Sequence, residues 1–207
     1  MAAGVPFKWV AGDEAYGGNP GLREWLEAEG IPYVLAVACN AMIGTKAGAK
    51  RADALAGLVP AGAWQLLSCA DGSKGPRLYD WALVATGSDR HWLLARRSLQ
   101  PGEKGDLELA FYRCYSPRPV TLAELAAAAG ARWGAEDCFA EAKNEAGLDH
   151  CQVRRYRAWY RHITLAMLAH AFLAVTAHRA RPAPSPPPPE PVPASGNTEG
   201  ETAKKGT

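Results

Sequence analysis

The chain has 207 residues, 48% hydrophobic and 21% charged, a balance that excludes a disordered or fibrous protein and suits one or two globular domains. With 23 Lys+Arg against 21 Asp+Glu the net charge is +2, which excludes a generic polybasic nucleic-acid binder and leaves that role to local placement of charge. Five cysteines occur without a C-x-x-C pair, which excludes a zinc ribbon, argues against a disulfide framework and fits free thiols in a cytoplasm.

Met1 to Trp9 shows no basic stretch leading into an apolar one, so no signal peptide is expected. Phe7 to Gly12 reads as a short strand, followed by a turn from Asp13 to Gly18. Asn19 and Pro20 make an N-cap and first helical residue, Leu22, Trp25 and Leu26 recur at helical spacing, and Gly30 stops the helix. Pro32 to Ala38 is a nearly continuous apolar run, as expected of a strand covered on both faces. Strand, helix and buried strand make a βαβ unit.

Lys46, Lys50 and Arg51 then read as a basic loop and Ala52 to Leu58 as a short helix. Trp64 to Cys69, Leu78 to Thr86, Arg90 to Arg97 and Leu107 to Tyr115 read as four strands separated by Gly-, Asp- and Pro-containing turns. They predict a small antiparallel sheet inserted after the βαβ unit, within a β-rich stretch 39–119. Thr121-Leu122-Ala123-Glu124 fits a capping box. Gly130 is expected to interrupt that helix, with a second from Ala131 to Ala146 stopped by Gly147, and a long helix from Val153 to Ala180 closing the body, 1–181. The longest apolar run, Ile163 to Ala177, spans 15 residues, short of the roughly 20 of a bilayer span, so a buried helix and no membrane contact are expected. Residues 182–207 hold 8 of the 16 prolines and no aromatic residue. They predict a disordered tail.

Three features could carry chemistry. Arg132, Glu136 and Lys143, spaced by four and seven, share one helical stripe beside Ala135, Phe139, Ala142 and Ala146. A carboxylate between two cations suits a site where a metal meets a phosphodiester. From spacing alone it reads more readily as a solvated helix face with an i,i+4 ion pair. Asp13 follows a strand at its carboxyl end, where α/β sheets place ligands, and also reads as a turn aspartate. Arg154, Arg155, Arg157, Arg161, Arg179 and Arg181 occur with no acidic residue between Cys151 and Pro189, and Tyr156, Trp159 and Tyr160 are interleaved. Such a segment could track a phosphate backbone, or it could be a core helix with solubilising ends. No G-x-S-x-G elbow, Walker A loop, G-x-G-x-x-G fingerprint or H-x-x-x-H pair occurs. Cys138 and Cys151 read as packing residues, and His170 as a core histidine.

Asp13-Glu14-Ala15-Tyr16-Gly17 with Tyr33-Val34-Leu35-Ala36-Val37 resembles the surroundings of the second catalytic aspartate in DDE insertion-sequence transposases. Gly72 to Trp81 resembles part of their β insertion. Arg132-Trp133-Gly134-Ala135-Glu136, Lys143, Gly147 to His150 and Tyr160 to Met167 resemble their C-terminal signature, Y-x2-R-x3-E-x6-K. Ala129 stands at the tyrosine position, a departure from the pattern. The resemblance covers about residues 7 to 178.

It implies an α/β fold: a partial ribonuclease-H-like core with an inserted antiparallel β-sheet and C-terminal helices. It also implies cleavage and transfer of DNA strands by two-metal phosphodiester chemistry. Three carboxylates hold Mg²⁺ in that family. Asp13 would be the second ligand and Glu136 the third. Arg132 and Lys143 would bind DNA phosphates, with Lys74 and Arg77 as further end contacts and Arg154, Arg155 and Arg161 along the strand. The family's first aspartate precedes the second by more than the twelve residues between Met1 and Asp13. The expectation is therefore a C-terminal portion of a transposase that does not cut DNA alone. The alternative is a fragment that binds transposon ends, full-length transposase or a second copy, and regulates transposition in trans.

Overall fold

A computed structural model describes residues 6–72, 75–103 and 105–180. Lys74 and the predicted tail at 182–207 lie outside the described residues. The described elements are β1 (Val10–Gly12), α1 (Glu14–Gly17), α2 (Pro20–Ala28), β2 (Tyr33–Val37), β3 (Met42–Thr45), β4 (Gly48–Arg51) and α3 (Ala52–Gly57). They continue with β5 (Gln65–Gly72), β6 (Gly75–Ala85), β7 (His91–Pro101), β8 (Leu107–Tyr115), α4 (Leu122–Ala146) and α5 (Tyr156–Ala180).

The βαβ unit forms as its sequence requires. Asn19 caps α2 by accepting the Leu22 N–H, Pro20 opens the helix, and β1 pairs in parallel with β2. β2 is buried at Tyr33, Val34, Leu35 and Val37. The four predicted strands are present and antiparallel, and they extend the βαβ sheet because β8 pairs with β2 over Tyr33↔Tyr115 to Val37↔Phe111. The described strands thus form a six-stranded sheet in the order β1-β2-β8-β7-β6-β5, with β3-β4 as a separate hairpin. From β2 to β5 the strand direction reverses four times. β5 therefore runs in the same sense as β1 and β2 in the order of the sheet.

Each face of the sheet is covered. On one, Leu125, Ala126, Ala128 and Ala129 of α4 pack with Val34, Cys69, Trp81, Leu94 and Tyr112. On the other, α2 places Leu26 over Tyr33 and Leu35, while Ile43 and α3 residues Ala52, Leu55 and Ala56 cover Val37, Leu93, Ala95 and Phe111.

Three expectations are corrected. Lys46, Lys50 and Arg51 do not form a basic loop: Lys46 lies in the turn of the β3–β4 hairpin, and Lys50 and Arg51 end β4. Gly48, at φ 98°, makes that turn accessible, and burial of Ile43 anchors the hairpin to the sheet. Nor does Gly130 end a helix. α4 runs unbroken through it, because the absent side chain lets the helix backbone approach the Cys69 carbonyl. The capping box at its start is formed, with Thr121 accepting the Glu124 N–H and Glu124 accepting the Thr121 N–H, a device that contributes about 1 kcal/mol.

The third correction concerns α5. It begins at Tyr156, so Arg154 and Arg155 precede it, and it is exposed along most of its length, with only Ala166 buried. It rests on α4 through a narrow stripe including His162, Ile163, Ala166 and His170, and leaves Leu165, Leu168, Phe172 and Val175 outside. By length and composition alone α5 is apolar enough to cross a membrane.

Burial also sorts the cysteines, all of them free. Cys69 and Cys114 are buried, and desolvation raises both thiols above their ordinary value. Cys39 and Cys138 are exposed, the latter with its Sγ 3.3 Å from His170 Nε2. Titration of the folded protein with a disulfide reagent at mildly alkaline pH is expected to modify Cys39 and Cys138 quickly. Cys69 and Cys114 should react only on unfolding, and rapid native-state modification of Cys114 would contradict this packing. Stability held by that thiol is full below about pH 8.5, where the unfolded cysteine titrates. It is lost as the pH rises toward the higher folded value.

Candidate active site

Asp13 stands directly after β1. Its Oδ1 accepts the Ala15 N–H at 3.1 Å and caps α1. The side chain is exposed, and its second oxygen accepts no hydrogen bond among the described residues. The loop around it is pinned by Gly17: a Cβ there would lie 1.8 Å from the Ala36 carbonyl oxygen. Backbone of α1 therefore rests on backbone of β2, and Asp13 is fixed at the carboxyl end of the parallel pair.

Glu136 comes from α4. Its Oε1 accepts from Arg132 Nη2 at 2.6 Å and from Nε at 3.2 Å, leaving Oε2 over. Both side chains are about half exposed (45% and 51%), so the pair contributes only a few tenths of a kcal/mol to the fold. Its consequence is orientational: both guanidinium contacts converge on Oε1 and bias the carboxylate toward this rotamer.

The path of α4 relates the two carboxylates. Glu124, in its first turn, meets Lys8 at 3.6 Å, just before β1. Further along, Gly130 touches Cys69 of β5 and Asp137 meets Arg77 of β6 at 3.0 Å. The helix thus crosses one face of the sheet, from the residues before β1 at one edge to β5 and β6 at the other. Asp13 follows the β1 edge of the sheet and Glu136 lies on the part of α4 that neighbours the β5–β6 edge, and the two share no hydrogen bond. Among the described residues no group of three or more His, Cys, Asp or Glu side chains is placed to hold a metal ion.

The predicted cations are distributed unevenly. Arg132 lies with Glu136, and exposed Lys143 follows on the same stripe of α4. Arg77 reaches α4 through Asp137, next to Glu136, and lies 5.6 Å above the Trp133 ring. Arg154 and Arg155 are on the exposed segment before α5 and Arg161 is on α5, apart from that cluster in sequence and element. Tyr156 stacks on Trp159 and leans on Tyr160, all three exposed, which gives an aromatic surface among these arginines. Ala129, at the signature's tyrosine position, is buried among Trp81, Tyr112 and Leu125, where a phenol could not reach a phosphate without displacing the helix.

Sequence reasoning missed Arg96. Its guanidinium lies 4.5 Å over Tyr79 and 5.0 Å over Trp133, and these two rings stack at 9°. Arg96, Arg77 and Trp133 thus couple the β-rich sheet to the stretch of α4 that carries Arg132 and Glu136. The usable signal would have been the strand alternation that puts Tyr79 and Arg96 on one face.

The model of the family described as transposase DDE domain matches residues 3–172, more than four-fifths of the chain. No curated protein matches. The fold, with its α/β sheet, antiparallel strands and C-terminal helices, is consistent with that family's ribonuclease-H-like domain. The chain therefore belongs to the transposase DDE domain family, and its function is tied to DNA transposition.

Proposed function

We propose that this chain contributes to the cleavage and transfer of DNA strands, with Asp13 and Glu136 as two carboxylate ligands of a divalent-metal centre. Members of the family use divalent metal ions, and the donor set suits Mg²⁺: both groups are hard oxygen donors, each with one oxygen engaged and one left over. Bound Mg²⁺ supplies activation of a water or 3′-hydroxyl and stabilisation of the leaving oxygen. The observation that carries the reading is the match to the transposase DDE domain over residues 3–172, in a chain where Asp13 directly follows β1 and Glu136 sits between Arg132 and Lys143 on one stripe of α4.

The residues of this chain have defined tasks in that reading. Arg132 orients Glu136 through its Oε1. Lys143, Arg77 and Lys74 neutralise phosphates near the reacting bond. Arg154, Arg155 and Arg161, with the exposed aromatic rings, hold DNA further away. Two carboxylates do not complete the three of the family's chemistry, so the 207-residue chain is expected to bind DNA in the cytoplasm without cutting it. The exposed arginine and aromatic segment at the start of α5, free of acids, favours a second reading. In it, the chain occupies transposon ends, or joins a transposase or a second copy, and regulates in trans.

Anisotropy of a labelled duplex tests both readings. If about four phosphates are neutralised, affinity should fall about 100-fold between about 50 and 200 mM salt. Absence of binding at the low-salt end would remove both. Mg²⁺-dependent nicking by this chain, abolished in Glu136→Gln, would confirm the metal centre and overturn the expectation that the chain alone does not cut.

A further inference from the structure

The sheet face opposite α4 carries a feature that the site above does not use. Between α2 and the β3–β4 hairpin runs a crevice of about 370 Å³, lined by Gly17, Gly18, Arg23, Ala38, Met42 and Arg113. It opens at the carboxyl end of β2, and Glu14, the residue after Asp13, forms part of its rim. Two guanidiniums face it. Arg23, from α2, donates Nη1–H to the Gly17 carbonyl at 2.7 Å, and Arg113, from β8, donates Nη2–H to the Met42 carbonyl.

Among the described residues neither arginine has a carboxylate within 4.0 Å. Glu27, whose charge acts on Arg113, already accepts from Tyr33 Oη at 2.7 Å and contacts His91 Nε2 at 3.1 Å. Burial and then the positive charge of Arg23 hold the Arg113 guanidinium below its ordinary value. Two half-buried cations that repel each other at one crevice are costly without a counter-charge. Each spends one of its five N–H groups on a rim carbonyl and keeps the rest for an incoming acceptor. Bridging by one tetrahedral oxyanion removes the repulsion and uses those donors.

We propose that Arg23 and Arg113 form a phosphate clamp for a DNA strand passing beside Asp13, on the face of the sheet opposite α4. Exposed Gly18 adds no side chain to the rim, so a sugar–phosphate backbone can approach there. The proposal rests on the DNA-binding reading above. It adds a second, independent phosphate contact on the Asp13 side of the domain, where no lysine or arginine was expected to act.

The test is duplex binding by anisotropy across a salt series, for the wild-type chain and three variants. Arg23→Gln/Arg113→Gln is expected to weaken binding about 10-fold and to lower the salt slope by about one unit, as for one lost phosphate. Met42→Glu sets a carboxylate at the mouth from an exposed position and should weaken binding similarly. Because it leaves both arginines in place, it decides the matter if the double variant melts early. Arg154→Gln/Arg155→Gln probes the other DNA contact. Wild-type affinity and slope in both crevice variants, with binding weakened in Arg154→Gln/Arg155→Gln, would overturn the clamp and leave the DNA reading standing. No binding by the wild-type chain would overturn both. Thermal stabilisation by inorganic phosphate that vanishes in the double variant, with DNA binding unchanged, would assign the crevice to a free anion and overturn the clamp.

Discussion

An alanine at position 130 is expected to destabilise the fold by about 2 kcal/mol, although alanine is the better helix former by about 1 kcal/mol. The added Cβ would lie 2.1 Å from the Cys69 carbonyl oxygen, 2.7 Å from its carbon and 2.9 Å from the Cys69 Cβ. Two of these atoms are backbone of β5 and cannot swing away. α4 must lift, and lifting it disturbs Leu125, Ala126 and Ala129, all buried against Trp81 and Tyr112. The loss should appear as a lower urea midpoint and a melting temperature reduced by roughly 4–8 °C for a chain of this size. Gly134, on the same helix, has nothing within 4 Å of its ideal Cβ. Gly134→Ala should therefore stabilise by up to about 1 kcal/mol. If both alanines stabilise alike, α4 does not touch β5 at Gly130.

The second large effect is expected at the carboxylates. Asp13→Asn and Glu136→Gln should each lower Mn²⁺ affinity by at least about 10-fold, the loss typical when one support of a metal site is removed. Both amides keep an oxygen for the contacts the carboxylates make, to the Ala15 N–H and to Arg132. The fold should survive, so the change isolates the charge. Iron-loaded protein treated with ascorbate and peroxide should be cut at two places, near the β1–α1 junction and within α4. Either variant should abolish both cuts. A single cut, or one that persists in Glu136→Gln, would mean that the two carboxylates do not share an ion.

What was legible in the sequence was local. Asn19-Pro20 and Thr121 through Glu124 signal helix starts through bonds made within a turn, and both starts occur as read. The continuous apolar run at Tyr33 to Val37 announced a strand with both faces covered, and its burial follows from α4 on one side and α2 on the other. Asp13 and the Arg132–Glu136 pair could be found because a strand end and a four-residue spacing are themselves local patterns.

What was illegible depends on distant partners. Gly130 reads as a helix stop until the Cys69 carbonyl is seen against it. The apolar stretch of α5 implied burial, yet α4 offers it only one narrow stripe. Ile43 sits in a strand too short to show alternation, and its anchoring contacts are at Leu93 and Phe111. Arg23 and Arg113 are ninety residues apart in sequence and meet only because β8 inserts beside β2.

That insertion governs the order in which the chain can assemble. β2 acquires its second neighbour only from β8, whose Tyr115 pairs with Tyr33 across 82 positions of sequence. Until the ribosome has released Leu107 to Tyr115, the most apolar strand of the domain has one three-residue partner, β1, and an unsatisfied edge. Loop closure over such a distance is slow relative to local pairing. The β5–β6–β7–β8 meander, built from neighbouring hairpins, is therefore the part that should form first and then capture the βαβ unit. During synthesis the interval before capture is when β2 is open to pairing with the wrong strand.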